Sequence, residues 1–247
     1  MKHIAMAGYD GVELSAISGM CEHLVLDDWR SQKAQIQALA AEHRLALLSM
    51  EVASLDETRL MKAFEAGQGI GVPVVNIGPG GKAGVEADLE RQTDLMAKMA
   101  DKAAAFGVTL CVKAHVGSCI DNTPTTQFAM KKIGSPAFGI DMDPSHIHRA
   151  NENPAEALPA VLSRVKHVHI RDCKGRGPGP GEPRDQACGR GEIDLAGYCR
   201  AMVNGGYDGP VCLEVIGAGG YDLAQRVTIA AESYGYLNAC LKALGGR

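Results

Sequence analysis

The stretch GIDMDPSHIHRAN, residues 139–151, places Asp141, Asp143, His146 and His148 within eight positions behind a short apolar run. Side chains this polar cost several kcal/mol to bury without partners, so the grouping calls for something to hold. Three further runs repeat the arrangement. In LCVKAH (110–115), Lys113 and His115 oppose Val112 and Ala114. In HVHIR (167–171), His167, His169 and Arg171 oppose Val168 and Ile170. In CLEV (212–215), Cys212 and Glu214 oppose Leu213 and Val215. Strand side chains alternate with period two, so these four runs read as strands with one apolar face and one chemistry-bearing face. Asp143, His169 and Glu214 each end a different run and carry the donor types of a divalent-ion site. An ion held by those three would polarise two neighbouring substrate oxygens and acidify the C–H between them. Lys113 stands where a fourth anion would be expected.

The elements that must position these groups alternate along the chain. Strand candidates are 11–14, 45–52, 72–78, 109–115, 138–143, 165–172 and 210–216. Between them lie helix-period segments at 28–43, 55–68, 83–106, 123–133, 155–163 and 194–204, with a last helix at 222–243. This alternation predicts one α/β domain spanning 1–247, with a parallel sheet and crossover helices. The length fits a (β/α)8-type parallel TIM barrel, in which polar groups at the C-terminal strand ends mark the active site. Only seven strands are readable. The first strand of a full barrel is missing from the pattern, and an open edge needs covering by a partner subunit or a preceding segment. The Gly/Pro-rich stretch 173–194 is the one long irregular segment and reads as a functional loop after a barrel strand.

Composition narrows the function classes. The chain has 247 residues, 46% of them hydrophobic, enough for a sizeable core. A net charge of −4 and 4% aromatics exclude the basic, base-stacking surface of a nucleic-acid binder. No apolar run is long enough to span a membrane and no signal peptide is readable, which implies a cytoplasmic protein. The eight cysteines show no CxxC or Cys/His zinc spacing and read as reduced, mostly buried thiols. GPGGKAG (78–84) lacks P-loop spacing and reads as a loop after a strand.

With these residues identified, the chain resembles the xylose isomerase-like TIM-barrel family, the superfamily of sugar isomerases and epimerases that includes AP endonuclease family 2. AGYDGVEL, DPSH, VKHVHIRD, GRGEID and CLEV carry the resemblance, in family order over nearly the whole chain. The resemblance implies one Mn, Mg or Co ion (Zn as a variant) bound by Glu, Asp, His and Glu at four strand ends. Asp143, His169 and Glu214 match the last three ligands, while Lys113 occupies the position of the first. Three readings stay open. The ion is kept, with His115 or His146 as fourth ligand; the ion is lost and Lys113 stabilises an enolate; or the chain is a non-catalytic partner subunit.

The expectation is a sugar or polyol isomerase/epimerase working by metal-assisted proton abstraction beside a carbonyl. A lyase of the same family, a keto-inositol dehydratase or 3-keto-glycoside eliminase, is the alternative. Glu214 is the expected base, with Lys113 or His146 the complementary acid. His115, Glu51, Arg176 and Arg190 are expected to bind substrate. His148 reads as a surface residue, and Asp172 as a structural cap. The expected partners are a small carbohydrate and further copies of the chain, with no nucleic acid or membrane.

Overall fold

The period-two runs form a sheet of parallel strands, each followed by a helix that covers its apolar side. A computed structural model describes all 247 residues. The strands are β1 (Gly11–Ile17), β2 (Cys21–Glu22), β3 (Ala46–Glu51), β4 (Val74–Ile77), β5 (Thr109–Lys113), β6 (Phe138–Met142), β7 (Val165–Ile170) and β8 (Val211–Leu213). The helices are α1 (Lys2–Met6), α2 (Trp29–Glu42), α3 (Glu57–Ile70), α4 (Glu86–Ala105), α5 (Thr123–Lys132), α6 (Pro144–Arg149), α7 (Pro154–Ala157), α8 (Leu195–Asn204) and α9 (Leu223–Ala243). Sheet order is β2-β1-β3-β4-β5-β6-β7-β8. All pairings are parallel except that of the two-residue β2, which folds back on β1. The seven parallel strands are the seven the sequence offered. Between β1 and β8 there is no strand pairing, so the seam lies where the pattern lacked a strand.

Outward residues such as Leu110, Val112, Ile140, Met142, Val168 and Ile170 are fully buried beneath the helices. At about 25 cal/mol per Å² of apolar surface, this burial is the main term holding the strands in place. Helix starts are fixed by local chemistry. Asp56, Asn122, Asp194 and Asp222 each accept a backbone N–H of the first turn of α3, α5, α8 and α9. Gly139 solves a close approach, because a Cβ there would lie 2.8 Å from Cys111 Sγ. That lets β6 lie tightly between its neighbours directly below Asp141.

Two expectations need adjustment. The helix expected over 155–163 is a four-residue α7 followed by two 3-10 turns, with Pro159 inside the second segment. DPSHIHRAN, left without an element in the sequence pattern, carries α6, begun by Asp143 as N-cap and Pro144 as first residue. No helix is long and apolar enough to cross a membrane. All eight cysteines are unpaired.

Candidate active site inside the barrel

Inward residues form two polar layers, one two residues above the other along the strands. The upper layer sits at the C-terminal strand ends and is charge-paired throughout. Lys113, the last residue of β5, places Nζ 3.2 Å from both oxygens of Glu214 and 3.5 Å from Glu51 at the end of β3. Arg171, just beyond β7, donates to Glu214 and lies 2.8 Å from Asp143 Oδ2, while its Nε donates to Ser145 Oγ at 2.8 Å. Asp143 Oδ1 accepts from Ser145 N and Oγ at 2.8 and 2.7 Å, so its role as cap and its role as ion partner are combined. His146 points into the same layer. Its Nδ1 faces Arg149 Nη2 at 2.9 Å and its Nε2 faces Arg171 Nη2 at 3.0 Å.

Electrostatics follow from this pairing. Burial opposes every charge here, but Lys113, His169 and Arg171 outweigh it at Glu214 and hold its carboxyl well below the usual range. Arg171 does the same for Asp143. Burial also works against the Lys113 ammonium, yet Glu214 and Glu51 raise it well above an ordinary lysine. Glu51 differs from its neighbours. Burial dominates over the attraction of Lys113 and pushes it up to about 7, and its Oε2 has no hydrogen bond. Burial, with two guanidinium groups nearby, keeps the His146 ring neutral.

The lower layer contains no lysine or arginine. Asp141 accepts from His167 Nδ1 at 2.9 Å, from His169 Nδ1 at 2.5 Å and from the His169 backbone N–H at 3.0 Å. Both rings thereby turn Nε2 toward Glu13 of β1, at 3.4 Å for His167 and 2.7 Å for His169. Ser49 and Asn76 donate to Glu13 Oε2 at 2.7 and 2.8 Å. Opposing burial, Asp141 and Glu13 hold His169 as a cation, well above an ordinary histidine. Cys212 of β8 completes a group with Glu13, His167 and His169 whose ligand atoms all lie within 4.8 Å of one another. Glu51, Asp141 and His169 form a second such group. A cavity of about 620 Å³ opens through the β1–β8 seam and reaches Glu13, Glu51, Cys212 and Glu214.

The residues singled out in the sequence are thus distributed as follows. Lys113, Glu51, Glu214, Asp143 and His146 share the upper layer. His169, expected beside Asp143 and Glu214, has both ring nitrogens engaged by Asp141 and Glu13. The Asp143 and Glu214 carboxylates already face two fixed cations, so an ion at the family position would have to displace Lys113 and Arg171, although Asp143 Oδ2 and Glu51 Oε2 make no hydrogen bond. The residues present do not fit an ion there. His115 is exposed at the rim, its ring 4.1 Å from that of His146. Arg176 donates to the His148 carbonyl, and Arg190 pairs with Glu232 on the surface. His148, expected on the surface, is 7% exposed because α6 turns it under the long loop. Asp172 accepts from the backbone N–H groups of Cys173, Gly189 and Ile193 and so organises that loop.

Sequence reasoning passed over Glu13, Asp141, Arg171 and Cys212 as site-forming residues. Inward parity marked three of them, and Glu13 lay in a run read only as a strand.

Known proteins show the same frame. The model of the xylose isomerase-like TIM barrel matches residues 1–240. Two curated relatives align over 77 residues, 31% of this chain and about a quarter of their own length. They are the uncharacterized protein YfiH of Bacillus subtilis, at 30% identity, and an inosose dehydratase of Clostridium botulinum, at 27%. Among solved structures, a D-psicose 3-epimerase in the presence of D-fructose superposes with TM-score 0.78 at 16% identity, covering 99% of this chain and 92% of that one. An IOLI protein with a bound zinc atom gives 0.76 at 19% identity, covering 97% and 91%. With the seven strands, the inward polar layers and this match over nearly its full length, the chain belongs to the xylose isomerase-like TIM barrel family.

Proposed function

We propose that the protein acts on a small polyhydroxylated carbonyl compound, a sugar or polyol, by moving a proton at the carbon beside the carbonyl. Isomerisation or epimerisation is the first reading. It is supported by the fold shared with sugar epimerases, and it rests above all on Lys113 held between Glu51 and Glu214 at the strand ends, where a barrel carries its chemistry. The ammonium of Lys113 and the guanidinium of Arg171 are fixed positive groups in a dry site. Aimed at a carbonyl oxygen, they favour the enolate over the ketone. No step needs an ion at the family position.

Sequence assigns the base to Glu214 and substrate contact to Glu51, and the geometry favours the exchange of these roles. Glu214 has both oxygens held by cations, which makes it a weak base. Glu51 offers an oxygen without a hydrogen bond, beside the cavity. In the ionised form it takes the proton from carbon, the C–H electron pair moves into the enolate, and reprotonation at carbon completes isomerisation or epimerisation. Glu214 keeps Lys113 and Arg171 in register and accepts a substrate hydroxyl, while His115 and His146 border the rim.

Dehydration of a keto-polyol is the second reading. Lys113 favours it because an ammonium can protonate a departing β-hydroxyl as water, and 77 residues resemble an inosose dehydratase. Incubation of the protein with a panel of ketoses and keto-inositols in D2O, read by mass spectrometry, tests both readings. A gain of one mass unit marks proton exchange and a loss of water marks dehydration. The Lys113→Met variant should do neither. Absence of either product across the panel, or full activity in that variant, sinks the proposal.

A further inference from the structure

The geometry points to a structural transition-metal site in the lower layer, with Glu13, His167, His169 and Cys212 as its four ligands, clipping β1 to β7 and β8 across the unpaired seam. This goes beyond the proposed reaction, which uses the upper layer. The site lies two residues, roughly 6.6 Å, down the strands from the family's ion position and shares only His169 with it.

Four observations carry the inference. First, Asp141 accepts from Nδ1 of both imidazoles, at 2.9 and 2.5 Å. That makes Nδ1 the donor in both rings and aims Nε2 into the group, where His167 Nε2 also meets Ser49 Oγ at 2.9 Å; a carboxylate orients metal-binding histidines in this way. Second, His169 Nε2 lies 2.7 Å from a Glu13 oxygen. That contact is the imidazolium N–H of His169 donating to Glu13, and its proton is the one an ion would replace, since no lysine or arginine supplies positive charge in this layer. Third, the Cys212 thiol joins the same group within 4.8 Å, although β8 does not pair with β1. A sulfur, two imidazoles and one carboxylate suit Zn²⁺ or Co²⁺ and not Mg²⁺ or Ca²⁺. Fourth, the cavity through the seam touches Glu13 and Cys212 and gives an entry path.

Four protein ligands make a closed, structural type of site. Binding displaces the protons of the Cys212 thiol and of the His169 imidazolium, so the ion's two charges replace two protons. It ties together the two strands that no backbone hydrogen bond joins.

The test uses the full-length protein, purified under reductant, stripped with chelator and reloaded with one equivalent of Zn²⁺ or Co²⁺. The expected result is about one ion per chain by elemental mass spectrometry, a thiolate-to-cobalt charge-transfer band, and a melting temperature raised by several degrees. Cys212→Ser should lose the band and bind 10- to 100-fold more weakly, while its metal-free form melts within about 2 °C of the metal-free parent. His167→Gln, which should weaken binding without removing the thiolate, serves if the cysteine variant fails to fold. Asp143→Asn, in the upper layer, should keep ion and band. No uptake by the parent protein overturns the proposal. So does uptake without a thiolate band that disappears in Asp143→Asn, which would return the ion to the family position.

Discussion

The two polar layers of this barrel both draw on β6, β7 and β8, yet they solve the same electrostatic problem differently. The upper adds Glu51 of β3 and Lys113 of β5, and the lower adds Glu13 of β1. In the upper layer the carboxylates of Glu51, Asp143 and Glu214 meet the permanent cations Lys113 and Arg171. In the lower layer imidazoles are the only groups facing Asp141 and Glu13 that can carry positive charge, so the compensating charge is one that can come and go. One side chain accounts for much of the contrast. Lys113 brings a permanent charge into the upper layer, between Glu51 and Glu214. The comparison teaches that strand-end positions matching a metal motif can be occupied by carboxylates already paired with fixed side-chain cations.

Restoring a carboxylate at 113 should break this contrast most severely. Lys113→Glu places like charges together in a buried layer, a loss on the scale of about 3–5 kcal/mol for a broken buried pair. Thermal melts should show this variant, unlike its parent, recovering stability when Mn²⁺ or Mg²⁺ is added. Absence of any recovery would mean that the upper layer cannot take an ion even with its cations reduced. Next in size, Asp141→Asn turns one of the two oxygens that orient the histidines into a donor and removes the charge that holds His169 protonated. Chemical denaturation should show a loss of roughly 2–4 kcal/mol, since it leaves buried groups unpaired.

Glu51→Gln sharpens the comparison through pH. The Glu51 carboxyl stands at about 7, raised by burial against Lys113, with His169, Glu13 and Glu214 also facing it. Because the folded-state value is raised, the stability linked to its neutral form is complete below the unfolded value near 4.5 and is lost as pH climbs through 7. Glutamine stays neutral, so the variant should gain on the parent by roughly 1–3 kcal/mol between pH 5 and 8. Its rate of proton exchange should drop by about 10²–10⁴ and lose the limb that rises through pH 7. The smallest effect belongs to Arg190→Ala. Its partner Glu232 and the guanidinium are both partly exposed, so the pair is worth under about 0.5 kcal/mol, and KM for any turned-over substrate should stay within twofold.

Much of the fold was legible because its cause is local. Period-two runs gave all seven parallel strands, and Asp-Pro at 143–144 contains a helix start in its own chemistry. What escaped were properties of three-dimensional pairing. Nothing in HVHIR says that both histidines share Asp141 as acceptor, since the contact crosses from β7 to β6. Nor does GVEL reveal that Glu13 reaches across the barrel, because the path from β1 to β7 spans more than 150 residues of chain. Lys113 was visible as an anomaly, but its consequence for Asp143 and Glu214 required Arg171, whose parity was noted without a role. Arg190 illustrates the opposite error, a cation in a glycine-rich loop that finds its partner on α9.

The most direct test of the central claim is proton exchange by chelator-stripped protein. It is followed by mass spectrometry in D2O with a ketose that the intact protein turns over, in parallel with Lys113→Met. Exchange that persists without metal and vanishes in the variant is the predicted result. Exchange abolished by stripping and restored by added Mn²⁺, or retained when Lys113 is gone, would contradict an upper layer that works through its own cations.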